Sequence, residues 1–253
     1  MKKFFLLPVM LLSCVAASAQ FNLQLHYDLG RQTNPDAEAG RQLFTVTAEY
    51  FKADKLGSTY LFVDMDYRGK GIANQGAIGA YWEMGRDFTF LESDKGQHSV
   101  TAHVEYDGGL NNGGSFQQAA LVGPAWQWHS PDFSRTFTLQ VMYKQFFQSM
   151  GCDALSSFQI TPVWGMTFAK NLLTFSGFAD LWYGYIPKFD ENGQKKGLVF
   201  LTEPQLWVNV YGKDRQNNKL SVGTEFEISN NFVWSGTDRS IFFNPTVAVK
   251  YTF

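Results

Sequence analysis

The sequence predicts an all-β chain, a twelve-stranded antiparallel transmembrane β-barrel preceded by a signal peptide. Three observations predict it. Twelve segments alternate apolar and polar side chains with period 2. No apolar run after the N-terminal segment is long enough for a spanning helix. Aromatic residues make up 17% of the 253 positions while mean hydropathy is only -0.20, as expected when strands hide their apolar residues at every second position.

At the front, Lys2 and Lys3 precede an apolar run from Phe4 to Leu12, and Ala17-Ser18-Ala19 offers a small-x-small cleavage pattern. Residues 1–19 therefore read as a signal peptide and 20–253 as the barrel. A competing reading takes Leu11-Leu12-Ser13-Cys14 as a lipobox, with Cys14 lipidated in place of cleavage after Ala19. Without that segment Cys152 stands alone, so no disulfide within the chain is expected. No CxxC or HExxH spacing occurs, and neither a metal nor another cofactor is expected. The formal charge of -2 speaks against a nucleic-acid partner, which would need a basic face to displace phosphate counterions.

The first segment, Phe21 to Leu29, is apolar at every odd position and polar at every even one, the mark of a strand whose two faces meet different media. Segments 44–50, 59–67, 78–86, 99–107, 119–129, 137–145, 157–168, 173–183, 200–210 and 220–228 repeat the pattern. The last, 243–253, ends on Phe253. An aromatic at the end of a terminal strand resembles the signal by which outer-membrane barrels engage the barrel-assembly machinery. Asp107-Gly108-Gly109 and Asn111-Asn112-Gly113-Gly114-Ser115 supply turns. Gaps after odd-numbered segments are mostly longer than those after even-numbered ones, with Asp87 to His98 as an exception, which fits long external loops and short periplasmic turns. Tyr27, Tyr50, Tyr67, Tyr106, Trp126, Trp128, Tyr143 and Tyr183 lie near the ends of apolar faces, where interfacial girdles belong. Pro124, Pro162, Pro204 and Pro245 each remove a ladder donor, so bulges or fraying are expected there.

The apolar faces so collected carry no carboxylate. The opposite faces carry Asp28, Glu49, Asp64, Asp66, Glu83, Glu105, Asp107, Asp180, Glu203, Glu225 and Glu227, with Lys144 and Lys250. Either a soluble secreted β-sandwich binding protein or a membrane barrel can hold such strands. Strands near ten residues favour the barrel, since that length crosses the hydrocarbon at a tilt.

The hairpin Thr47-Ala48-Glu49-Tyr50-Phe51-Lys52-Ala53-Asp54-Lys55 through Tyr60-Leu61-Phe62-Val63-Asp64 resembles the second hairpin of the Tsx-like nucleoside-specific outer-membrane channels. Tyr81-Trp82-Glu83-Met84-Gly85-Arg86-Asp87-Phe88 resembles the next strand of that family. The match is specific over residues 44–90 and is one of pattern elsewhere. It implies a twelve-stranded, monomeric barrel in the outer membrane of a Gram-negative bacterium, with outer-membrane lipid around it and a narrow pore for nucleosides.

The residues themselves point to an acidic lumen that favours cations or neutral polar solutes over anions. Asp64, Asp66, Glu83, Glu105 and Asp107 form one expected wall, with Glu49, Phe62, Tyr81 and Arg86 beside it. Asp180, Trp182, Glu203, Trp207, Glu225 and Glu227 form another. Rings beside carboxylates suit a solute with a stacking base and pairing hydroxyls. The expected function is a passive channel for small polar solutes, nucleosides foremost. Its rival is a non-conducting structural barrel closed by salt links. No catalytic residue is expected: His129-Ser130 is the one hydrolase candidate, and strand neighbours point to opposite faces.

Overall fold

The computed structural model describes residues 20–37, 42–68, 76–93, 95–149, 151–191, 193–212, 219–234 and 237–253. The expected signal peptide and Cys14 lie outside these residues. Period-2 patterning becomes strand at every segment: β1 (Gln20–Asp28), β2 (Phe44–Asp54), β3 (Gly57–Arg68), β4 (Gly76–Glu92), β5 (His98–Asn111), β6 (Gly114–Ser115), β7 (Ala119–His129), β8 (Arg135–Phe146), β9 (Leu155–Phe168), β10 (Leu173–Asp190), β11 (Gly193–Thr202), β12 (Gln205–Asn209), β13 (Leu220–Asn230) and β14 (Ile241–Thr252).

Each strand pairs antiparallel with its neighbours, and β14 pairs back onto β1 from Asn22↔Thr252 to Asp28↔Thr246. That pairing closes the ring. The short β6 only extends the β5 hairpin, and β11 and β12 are two halves of one staff, both lying between β10 and β13. The barrel therefore has twelve staves. A single closed sheet replaces the two facing sheets of the sandwich alternative.

The face outside the ring is the apolar one. Leu23, Leu25, Met84, Phe88, Val104, Val122, Trp126, Val141, Phe158, Leu198, Val222, Val247 and Val249 are all exposed there. In water such a belt would be a large liability, whereas in a bilayer it is the required surface. Among the described residues no helix is long and apolar enough to cross a membrane. The fold is an outer-membrane β-barrel.

Gln20 and Phe253 lie at the end with turns 55–56, 93–97, 130–134 and 169–172. The other end carries 29–43, 112–118, 147–154 and 231–240, so it is the extracellular one. The exception expected at Asp87 to His98 is a strand boundary read too early, because β4 continues to Glu92. Two exceptions remain: 210–219 is a long connection at the short-turn end, and 191–192 is a short one at the other.

Three of the four prolines interrupt pairing without shifting it, and the bulge or fraying expected at Pro245 does not occur, because it pairs in line as Phe226↔Pro245. The β7–β8 ladder skips from Val122↔Tyr143 to Ala125↔Gln140 at Pro124, and β9–β10 skips from Phe178↔Val163 to Leu181↔Ile160 at Pro162, with register kept. Pro204 splits β11 from β12, and its carbonyl still accepts from Phe226 N at 3.0 Å. Bulges fall elsewhere, between Asp66 and Tyr67, Thr89 and Leu91, and Tyr185 and Phe189. Gly177 has φ +151° beside the Pro204 break, where a Cβ would lie 2.6 Å from the Glu203 carbonyl oxygen. Only glycine combines that backbone angle with that approach.

The lumenal wall as candidate functional site

Alternation along each strand turns the carboxylates into the ring, and two polar networks line it. On the first wall, Tyr81 donates its hydroxyl to Glu83 at 2.8 Å. His103 lies within hydrogen-bond distance of both Asp87, at 3.1 Å, and Glu105, at 3.0 Å. Thr101 and Ser58 also donate to Asp87, at 2.8 and 3.1 Å. Lys144 donates to Asp107 at 2.8 Å and to Gln159 at 2.7 Å, and its ammonium lies 5.4 Å from the Trp182 ring centroid. Thr161 donates to Asp180 at 2.5 Å. Glu83, Glu105 and Asp107 each place one oxygen within 4.8 Å of the others, a spacing that a hard cation can bridge.

The second wall is built the same way. Asn22 donates to Glu49 at 2.8 Å and Gln205 to Glu225 at 2.7 Å, while Asn244 donates to Glu227 at 2.6 Å. The indole of Trp207 donates to Gln205 at 2.9 Å. The Lys250 ammonium lies 4.0 Å from that ring, and Trp207 is 0% exposed. Trp207 lies over its register partner Gly223, where a Cβ would come within 2.6 Å of the ring. Glu203 projects inward at the break before Pro204, with its amide bonded to Phe178 O at 3.2 Å.

Between the walls, Asp64 accepts from Thr47 and Asp66 accepts from Thr45 at 2.7 Å. Phe62 places its ring centroid 5.9 Å from those of Tyr60 and Tyr81. A ring run thus borders the acidic wall at mid-barrel.

Three loops enter the extracellular mouth. Asn34 reaches Asn244 at 2.7 Å and the Phe243 carbonyl at 2.8 Å. Phe116 folds onto Gly109, and Phe232 meets Trp182 edge-on at 6.0 Å. Below the mouth, Ala119, Leu121, Met142 and Phe146 form an apolar cluster against Leu155 and Trp182, so part of the interior is dry.

Of the sequence-predicted residues, Glu49, Phe62, Asp64, Asp66, Tyr81, Glu83, Glu105, Asp107, Asp180, Trp182, Glu203, Trp207, Glu225 and Glu227 point into the ring. Arg86 does not. It shares its face with exposed Met84 and Phe88, stacks over Phe88 at 5.3 Å and forks onto Asp54 with two 2.8 Å bonds. The physical reason is period 2: a residue three along from Glu83 faces the other way, and the short-turn end puts Asp54 and Thr59 within its reach. His26, Asp87, His103, Gln205 and Asn244 join these networks beyond the expected set. Asp87 was legible by carrying the phase past Arg86, whereas neutral amides give no comparable signal.

His129 stacks on Phe133 at 3.8 Å with its ring nitrogens 2.9 Å from two backbone carbonyls, while Ser130 donates to Asp132 at 2.7 Å. The two do not form a nucleophile and base pair.

Solved structures share this architecture. A NanC porin aligns with TM-score 0.56 and 11% identity over 91% of this chain and 98% of its own. A KdgM porin aligns with TM-score 0.49 and 11% identity, over 92% and 99%. No curated protein matches the sequence. The likeness to the NanC porin is one of fold, the porin-like barrel, and is coarser than the Tsx-like resemblance read from the hairpins. At the level of sequence, residues 19–253 match the profile described as "Domain of unknown function (DUF5020)", and the chain belongs to that family.

Proposed function

We propose that the barrel is a passive outer-membrane channel for small polar solutes, with nucleosides as its preferred cargo. The observation that carries the reading is the ring run Tyr60, Phe62 and Tyr81 bordering Glu83, Glu105 and Asp107. A base stacks on such rings while its sugar hydroxyls donate to the carboxylates. Several weak stations of this kind admit a solute without trapping it. The excess of lumenal carboxylates over Lys144 and Lys250 disfavours anions, phosphorylated nucleotides among them.

A specific observation favours a second reading, the non-conducting barrel. Trp207, Phe242 and Val199 point inward and are almost fully buried, as are His26 and Asp107, so side chains fill much of the cross-section. Liposome swelling with purified, heat-modifiable protein separates the two. Faster entry of adenosine than of a neutral disaccharide of similar mass supports the nucleoside channel. Equal entry leaves a general pore, and no entry of either supports the filled barrel.

A further inference from the structure

At the extracellular end of the first wall, Asp66, Gly79 and Asn111 stand side by side in register on the inward faces of β3, β4 and β5. The middle position has no side chain. Over that gap lies a cavity of about 400 Å³ lined by Gln42, Asp66, Arg68, Ile78, Asn111, Asn112 and Phe116, with Gly79 and Gly113. Phe116 is built into it. Its amide donates to the Gly109 carbonyl at 2.9 Å, and its ring rests where a Gly109 Cβ would come within 2.4 Å. The ring is nonetheless 36% exposed. The polar groups around it are also held: Asn111 accepts from Gly113 N at 2.8 Å and Asp66 from Thr45 at 2.7 Å.

We propose that this cavity binds an uncharged sugar ring of monosaccharide size. The volume sits at the small end of the range for ligand sites, about 300–1,000 Å³. An apolar ligand would have to displace water from three carboxamides and two charged groups. A simple ion would meet both charges, Asp66 and Arg68, in the one lining. A sugar ring matches both parts of the lining. Its C–H face packs on the Phe116 ring, and its hydroxyls, each donor and acceptor, pair with carboxamides that are likewise both. The site belongs to the mouth and not to the mid-barrel station proposed for nucleosides, so it stands or falls separately from the channel reading.

The test is saturation-transfer NMR on the detergent-solubilised full chain with D-glucose, D-galactose and D-ribose, and glycerol as the ringless polyol. The expected result is transfer to ring C–H protons of at least one sugar well above that to glycerol. Phe116→Ala should reduce it at least fivefold, while Phe133→Ala at the opposite end leaves it unchanged. Asn111→Leu, checked for heat-modifiability, should weaken binding with the aromatic platform intact, which covers the case in which Phe116→Ala misfolds. Glycerol saturating as strongly as every sugar, or undiminished transfer in folded Phe116→Ala and Asn111→Leu, overturns the proposal. Sugar binding without swelling would refute conduction and leave the site standing.

Discussion

Lys144 and Asp107 meet at 2.8 Å inside the barrel wall, where their side chains are only 8% and 6% exposed. Removing one member of a pair this dry leaves the other charge without compensation, a loss of about 3–5 kcal/mol in buried pairs. Lys144→Met should therefore lower stability by about 3 kcal/mol, and Lys144→Met with Asp107→Leu should regain much of it. Urea unfolding in lipid vesicles measures both. Equal midpoints for wild type and Lys144→Met would mean that lumenal water already screens the pair.

Asp64 and Asp66 head the acidic strip on β3 and each accepts from a threonine of β2. Replacing both by asparagine keeps the hydrogen bonding and deletes the charge. Cation preference should fall, seen as reversal potentials in a salt gradient moving toward zero. Unchanged potentials would assign selectivity to the deeper wall around Glu83.

Glu83→Gln should slow adenosine entry several-fold more than glycerol entry, because the carboxamide still accepts from Tyr81 but loses the charge that attracts ribose hydroxyls. Proportional slowing of the two solutes in swelling assays would point to pore width instead.

Gly177→Ala should destabilise the barrel by about 1–3 kcal/mol through backbone strain, with a further cost from the contact with the Glu203 carbonyl. The temperature at which the compact gel band is lost reports it. No shift would show that the Pro204 break can move aside.

At the turn 130–134, Ser130 and Ser134 donate to Asp132, both through hydroxyls and the latter also through its amide. These bonds hold its carboxyl well below the ordinary carboxylate range. With the folded value depressed, the turn's stabilisation is full above the ordinary carboxylate pKa of about 4 and is lost only as pH falls through the lower folded value. Amide exchange at Ser134 should stay slow at acid pH and accelerate in Asp132→Ala. An equal rate in both proteins at neutral pH would remove the carboxylate from the account.

The strands were legible because each side of the wall meets a different medium, and that contrast is written at every second residue from Phe21 onward. The inward set followed from the same phase. Arg86 departs from the expected set because it keeps the parity of outward-facing Met84, two positions away, which the order of residues in a family-like motif does not register. The loop residues Asn34, Phe116 and Phe232 were out of reach for a different reason: period 2 carries no information once a chain leaves the sheet. Nor could sequence reveal how far Trp207 and Phe242 fill the interior, since filling depends on where side chains from opposite staves meet. Sequence did show the prolines, but not that the ladders skip a rung at Pro124 and Pro162 and run unbroken through Pro245.

Closure of β1 onto β14 also sets the order in which this molecule can be made. Residues near Asn22 pair on one side with nearby β2 but on the other only near Thr252, so the largest separation in sequence is bridged by the final seam. Until then the growing sheet has two raw edges, each able to recruit a strand from another chain, and loop-closure entropy is unrewarded to the end. Assembly should thus be all-or-none, with an open twelve-stave sheet as the species most in need of an escort.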